Sequence, residues 1–264
     1  MRSRRCSSYA AGIMNNRRRQ ILKELNLLPT WYFRSDTFHI NQSSLPAPSK
    51  NEDITSSFTH KENLGQSKEI DQLKLAVSHC TACPLSKTRT HTVFGTGDKN
   101  ASWLFVGEGP GAREDETGEP FVGQAGKLLD QMLFAIQLNR RHMIYITNIV
   151  KCRPPNNRNP STYEAAQCEP FLTQQIALIK PKIIIALGKV AAQSLLKCDN
   201  SISSLRGKIH DYSGIPLIVT YHPAYLLRSL PEKAKAWRDL CFARSVMGSL
   251  LQNPSPFDNT SRST

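Results

Sequence analysis

Four short, continuous apolar runs are spaced along the middle of the chain: Trp103–Gly107 (WLFVG), Met143–Val150 (MIYITNIV), Lys182–Leu187 (KIIIAL) and Leu217–Tyr221 (LIVTY). Apolar residues at nearly every position, rather than at alternate ones, suit strands buried on both faces of a parallel sheet. Between and after these runs, Gly126–Leu138, Tyr163–Ile179, Lys189–Leu196 and Glu232–Leu251 read as helices. Strands separated by helices predict an α/β fold, a three-layer α/β/α sandwich with a central, mainly parallel four-stranded sheet and right-handed crossovers. Such sheets bind ligands beyond the carboxyl ends of their strands. The loops after Val106 and after Tyr221 both fall at that edge.

This pattern occupies residues 69–251, which we read as one domain. Residues 35–68 are rich in Ser, Asn, Thr and Pro without a period and read as a flexible linker, and residues 252–264 as a disordered tail. Residues 1–34 form a basic arm with a short amphipathic helix over 17–28, where Ile21, Leu22, Leu25 and Leu28 share a face and Pro29 stops it. The chain carries a net charge of +13, and residues 1–35, with eight basic side chains against Glu24, supply +7 of it. That surplus points to a polyanionic partner, because releasing phosphate counterions favours association. The first twenty residues read equally well as a solvated tail or an Arg- and Ser-rich targeting peptide, and Met14 offers an alternative start. No apolar run approaches the roughly 20 residues that span a bilayer, so the expectation is a soluble protein without a membrane partner.

The loop after the first strand is Gly107-Glu108-Gly109-Pro110-Gly111, followed by Glu114. Its glycines permit a tight turn and close approach of a ligand to the backbone. Their spacing is wrong for a dinucleotide fingerprint, Pro110 cannot offer an N–H, and Asp130 falls within a helical pattern rather than at a strand end. After the last strand, His222 opens His222-Pro223-Ala224-Tyr225-Leu226-Leu227-Arg228 at the same sheet edge, where it serves the structure or donates to an oxygen that gains charge. Cys80 and Cys83 form a C-x2-C pair, with Cys152 and Cys168 further on. Seven cysteines, so irregularly placed, suit metal binding better than a secreted disulfide scaffold. Four thiolates suit zinc or a cubane cluster, and spacing alone favours zinc. Cys6, Cys198 and Cys241 stand apart.

Taken together, GEGPGAREDETGEPFVG, TNIVKCRPPNNRNP, HPAYLLR and the four cysteines resemble the family 4 (thermophile-type) uracil-DNA glycosylases, over residues from about 75 to 250. The resemblance implies a parallel α/β sandwich that flips uracil out of DNA, single- or double-stranded, and hydrolyses its N-glycosidic bond. It implies a 4Fe-4S iron–sulfur cluster in place of zinc, held by Cys80, Cys83, Cys152 and Cys168. It places Phe121 against the flipped uracil, Asn148 on its pyrimidine edge, His222 at the carbonyl that becomes negative, and Glu114 where a thymine methyl would sit. Gly109 stands where related families carry a water-activating Asp, which leaves Glu108 as the candidate base. Leu226 or Leu227, with Arg228, would fill the gap in the duplex. Read without the resemblance, Phe121 suits ordinary core, Asn148 a turn cap, and Glu108 and Glu114 solvated loop charges. Rival functions are a non-enzymatic DNA-binding protein on the same fold, a glycosylase for hypoxanthine or mismatched thymine, and a nucleotide-binding α/β enzyme. A monomer located in the cytoplasm with the nucleoid is expected, with an N-terminal targeting peptide as the alternative.

Overall fold

The structure, a computed structural model, describes residues 56–252, with side chains from Gln66 onward. The basic arm, its helix at 17–28 and the C-terminal tail lie outside the described residues. Helix α1 (Ser56–Ser78) begins inside the segment read as linker, so residues 56–68 are helical rather than irregular. No proline lies between Pro48 and Pro84 to stop a helix spreading backward from the docked Ile70, Leu73 and Val77.

The apolar runs become β2 (Trp103–Gly107), β3 (Ile144–Asn148), β4 (Ile183–Leu187) and β6 (Ile215–Thr220), which pair in parallel in the order β3-β2-β4-β6. Every residue of β2, β3 and β4 is buried, as strands covered on both faces require. The sheet has six strands rather than the four expected. Strand β1 (Thr96–Gly97) joins one edge antiparallel to β3, and β5 (Ile209–Tyr212) joins the other antiparallel to β6. Both escape a search for apolar runs, since β1 is two residues long and β5 is half-exposed throughout or more. The β5–β6 turn has positive φ at Ser213 (51°) and Gly214 (85°), the signature of a type I′ hairpin.

Successive side chains of each strand face opposite layers. Leu104, Val106, Ile184 and Ala186 pack toward α1, α4 (Thr162–Ile179) and α5 (Lys189–Leu196). Phe105, Ile146, Ile185 and Ile218 pack toward α3 (Gln124–Ala135) and the C-terminal α8 (Lys233–Gln252). The result is the expected three-layer sandwich. Shorter helices, α2 (Ala112–Thr117), α6 (Ile202–Leu205) and α7 (Pro223–Arg228), follow β2, α5 and β6.

Helix α8 is tied to the end of β6 by a buried carboxylate. Asp239 accepts from Arg206 Nε (2.7 Å) and Nη2 (2.9 Å) and from Thr220 Oγ1 (2.8 Å). The Arg206 guanidinium also lies 4.4 Å from the centre of the Tyr221 ring, next to His222. Removing one partner of such a pair strands the other charge away from water. Asp239→Ala is therefore expected to cost about 3–5 kcal/mol in urea unfolding. A loss below about 1 kcal/mol, the range of exposed pairs, would show that the pair is effectively solvated.

Candidate active site

The register of β2 against β3 sets Gly107 opposite Asn148 at the carboxyl edge of the sheet. A β-carbon on Gly107 would come within 2.6 Å of Phe121 Cζ, and closer still to Asn148 Oδ1. Only glycine leaves room for both side chains at this position. Phe121 itself has φ 56°, a left-handed conformation that is uncommon for an aromatic residue and costs on the order of 1–3 kcal/mol. Arg140 holds it there: Nη1 donates to the Pro120 carbonyl at 3.0 Å, Nη2 donates to the Phe121 carbonyl, and Nε pairs with Asp130. Gly126 makes space for the same carbonyl, which any β-carbon there would strike. Asp130 is thus occupied in positioning Arg140, in keeping with its poor fit to a ribose ligand. Arg140 carries no motif signal and was missed in the sequence; an arginine after a helix reads as surface charge.

Glu114, in the first turn of α2, spends its carboxylate on the backbone. Oε2 accepts from Gly111 N–H at 3.2 Å, and Oε1 accepts from Val122 and Gly123 N–H, both at 2.9 Å. It thereby fastens the glycine loop to the segment just past Phe121. Its neighbour Asp115 accepts from the N–H groups of Thr90 (2.9 Å) and His91 (3.3 Å). Neither acid is a freely solvated loop charge.

These loops and the one after β6 enclose a cleft of about 760 Å³, lined among others by Glu108, Gly109, Glu114, Phe121, His222 and Arg228. His222 caps the N-terminus of α7, and its Nδ1 accepts from Ala224 N–H at 3.1 Å. A neutral ring accepting at Nδ1 carries its proton on Nε2. Burial lowers the imidazole pKa to about 4, aided by the Arg228 charge and opposed by Glu114. The ring lies 5.5 Å from that of Phe121, tilted by 31°. Gly188, at φ 94°, permits this placement, since a β-carbon there would sit 2.8 Å from His222 Cβ. Asn148 is 1% exposed, with Oδ1 lacking a hydrogen-bond partner. Burial raises the pKa of Glu108 in the same cleft. At Gly109 a β-carbon would come within 2.8 Å of Val150 Cγ2.

The expected duplex wedge needs correction. Leu226 is wholly buried in a cluster with Leu128, Met132, Tyr221 and Leu240, so it anchors α7 and is not free to enter DNA. Helical spacing explains this, because position 226 lies a full turn beyond His222 and faces inward while Tyr225 and Arg228 face out. Leu227 is half-buried against the same cluster, and Arg228 stands exposed at the cleft mouth.

Cys80, Cys83, Cys152 and Cys168 line one cavity, shared with Arg89 and Lys151. Arg89 Nη1 donates to Cys152 Sγ at 3.1 Å, and the Lys151 N–H donates to Cys168 Sγ at 3.3 Å. Burial pushes the Cys168 thiol up to about 11, with Lys151 opposing it. Among the described residues no three His, Cys, Asp or Glu side chains are grouped so as to hold a single metal ion. Cys198 and Cys241 lie outside this cavity.

The geometry fixes an expectation for His222. Burial disfavours the charged imidazole, so the ring stays neutral as pH falls through 6.5 and gains its second proton only near pH 4. Nitrogen-15 NMR of the imidazole should show the Nε2–H tautomer from about pH 8 to 5. A titration midpoint near the unperturbed value of about 6.5 would contradict the arrangement.

A family profile described as Uracil DNA glycosylase superfamily matches residues 94–241. The chain is 48% identical over 155 residues to a type-4 uracil-DNA glycosylase of Thermotoga maritima, covering 58% of this chain and 80% of the relative. It is 42% identical over 168 residues to a type-4 uracil-DNA glycosylase of Archaeoglobus fulgidus, covering 61% and 84%. A type-5 uracil-DNA glycosylase of Pyrobaculum aerophilum is 28% identical over 174 residues, covering 58% and 76%. The matched segment spans the sheet from before β2 into α8 and contains the whole cleft. The chain belongs to the uracil-DNA glycosylase superfamily.

Proposed function

We propose that this chain removes uracil from DNA by turning the nucleotide out of the stack and hydrolysing its N-glycosidic bond, leaving an abasic site for base excision repair. The observation that carries this reading is the meeting of Phe121 and the neutral ring of His222 in one cleft, with the unpartnered side-chain oxygen of Asn148 beside Phe121 above Gly107. A flat base fits against the Phe121 ring, and a buried amide without a partner is costly until a ligand satisfies it. Asn148 then pairs with the pyrimidine edge. His222 Nε2–H donates to the carbonyl oxygen that takes up negative charge as the bond breaks. Loss of one such preorganised donor typically costs about 3–4 kcal/mol of transition-state stabilisation. Flipping costs about a few kcal/mol, least where the base is already unpaired, so single- and double-stranded DNA are both substrates. Arg228 and Leu227 hold the strand at the mouth of the cleft.

Glu114, fixed by its three backbone donors, stands as a rigid wall where a thymine methyl would intrude. Gly109 offers no carboxylate to activate water. Glu108, whose raised pKa reflects burial in the same cleft, is the group available to accept the water's proton. The four cysteines border one shared cavity, and the thiols of Cys152 and Cys168 receive N–H donors, which suits the iron–sulfur cluster that the resemblance implies. A 4Fe-4S cluster held by Cys80, Cys83, Cys152 and Cys168 would staple the end of α1 to the segment after β3 and to α4. The hydrolysis itself runs on the cleft's own side chains, and the chain acts as a monomer.

A uracil-containing oligonucleotide treated with the protein and then with alkali should be cut at the uracil, whereas one carrying thymine should not. Phe121→Ala and Asn148→Ala should each slow excision, the first by an amount corresponding to about 1–3 kcal/mol of lost stacking. Anaerobically purified protein should contain about four irons per chain. Wild-type rates in both variants would place the pocket elsewhere, and stoichiometric zinc without iron would refute the cluster.

A further inference from the structure

Lys151 is 1% exposed, and its amino group is surrounded by protein. Nζ donates to Thr147 Oγ1 at 2.6 Å, to the Asn148 carbonyl at 2.8 Å and to Gln175 Oε1 at 2.5 Å. All three partners are uncharged oxygens. A lysine is rarely buried without a carboxylate beside it, because the amino group loses its hydration; here Cys168 supplies the opposing charge, and no carboxylate is hydrogen-bonded to it. An apolar residue would fill such a space at lower cost, so the position asks for another explanation.

The main chain of Lys151 has different partners. Its N–H donates to Cys168 Sγ at 3.3 Å, and its carbonyl accepts from Val93 N–H at 2.8 Å. One residue therefore touches the cysteine cavity through its backbone and the carbonyl of Asn148 through its side chain. Asn148 needs that second contact. Its side-chain oxygen has no hydrogen-bond partner to orient it, so the aim of the amide depends on its packing over Gly107 beside Phe121 and on the backbone that carries it. Beyond Asn148 the chain leaves the sheet, with Ile149 and Val150 N–H donating to the carbonyls of Gly107 and Glu108. The side chain of Lys151 folds back across that departure and fastens its last strand residue. Gln175, on α4 with Cys168, completes the brace, and its Nε2 donates to the Phe94 carbonyl at 2.9 Å.

We propose that Lys151 is a positioning residue that sets the Asn148 amide for base recognition and links that amide to the cysteine site. This deepens the uracil-pocket reading and rests on it. Lys151 touches no reacting atom. It acts through Asn148, so its influence on the rate should disappear when the Asn148 amide is gone. A role confined to stability would instead lower the rate by the same factor in either background.

The test is a double-mutant cycle on the full-length, cluster-loaded protein. Excision of uracil from a fluorescent oligonucleotide is followed in a single turnover at saturating enzyme, with iron content and oligonucleotide affinity measured alongside. Lys151→Met should slow excision by about 10-fold or more, keep its iron and change affinity by less than about 2-fold, whereas in the Asn148→Ala background it should change the rate by less than about 2-fold. Thr147→Val removes one acceptor of the same amino group and should give a smaller loss, about 3-fold, that likewise vanishes with Asn148→Ala. If Lys151→Met is recovered without iron, Thr147→Val alone decides the matter. Losses that persist in the Asn148→Ala background, or an iron-loaded Lys151→Met at the wild-type rate, would overturn the proposal. A wild-type rate in Asn148→Ala itself would overturn the pocket reading as well. Slow excision in Asn148→Ala with additive losses would remove only the role given to Lys151.

Discussion

At the carboxyl edge of the sheet, Gly107 and Asn148 stand as partners across β2 and β3, and the space above Gly107 is filled by the Asn148 amide and the Phe121 ring. Any side chain at 107 would displace one or both. The rest of the cleft is built to hold this crowded arrangement. Arg140 and Gly126 maintain the left-handed backbone of Phe121, and Glu114 locks the residues that follow it to the glycine loop. Strain at Phe121 is compensated by these contacts, so the aromatic wall is in place before a base arrives. Preorganisation of that kind lets binding energy act on the transition state instead of being consumed in ordering the site.

Electrostatics follow from the same enclosure. Burial lowers the pKa of His222, favouring its neutral form, and raises that of Glu108, making its carboxylate a stronger base. A neutral imidazole with its proton on Nε2 is a donor that need not give the proton away. In a site shielded from water, such a donor stabilises a developing anion more strongly than it would in solvent. A leaving group stabilised in this way lessens the demand for a strong base, which is consistent with glycine at position 109.

The parts of the fold and site legible in the sequence are those whose physics is local. Continuous apolar runs mark the four inner strands because burial on both faces leaves few polar positions. The edge strands β1 and β5 owe their existence to pairing with a neighbour, and their sequences carry no comparable pattern. Motif resemblance pointed to Phe121, Asn148, Glu114 and His222, and the fold brings their loops together. It misassigned Leu226 because a motif gives order along the chain and says nothing of which side of a short helix faces the core. Arg140 and Lys151 were invisible for a related reason. Arg140 holds carbonyl groups of a distant segment and Lys151 that of Asn148, and backbone acceptors leave no trace in residue identity.

The role proposed for neutral His222 is to stabilise the departing base in the transition state, not in the bound ground state. The most direct measurement is the single-turnover excision rate of His222→Ala at saturating enzyme, with DNA affinity determined on the same preparation. That role requires a rate lowered by roughly 100-fold or more, with DNA affinity little changed and the fold intact. An unchanged rate at saturation accompanied by a collapse in DNA binding would contradict it, and would make His222 a residue that only positions the nucleic acid.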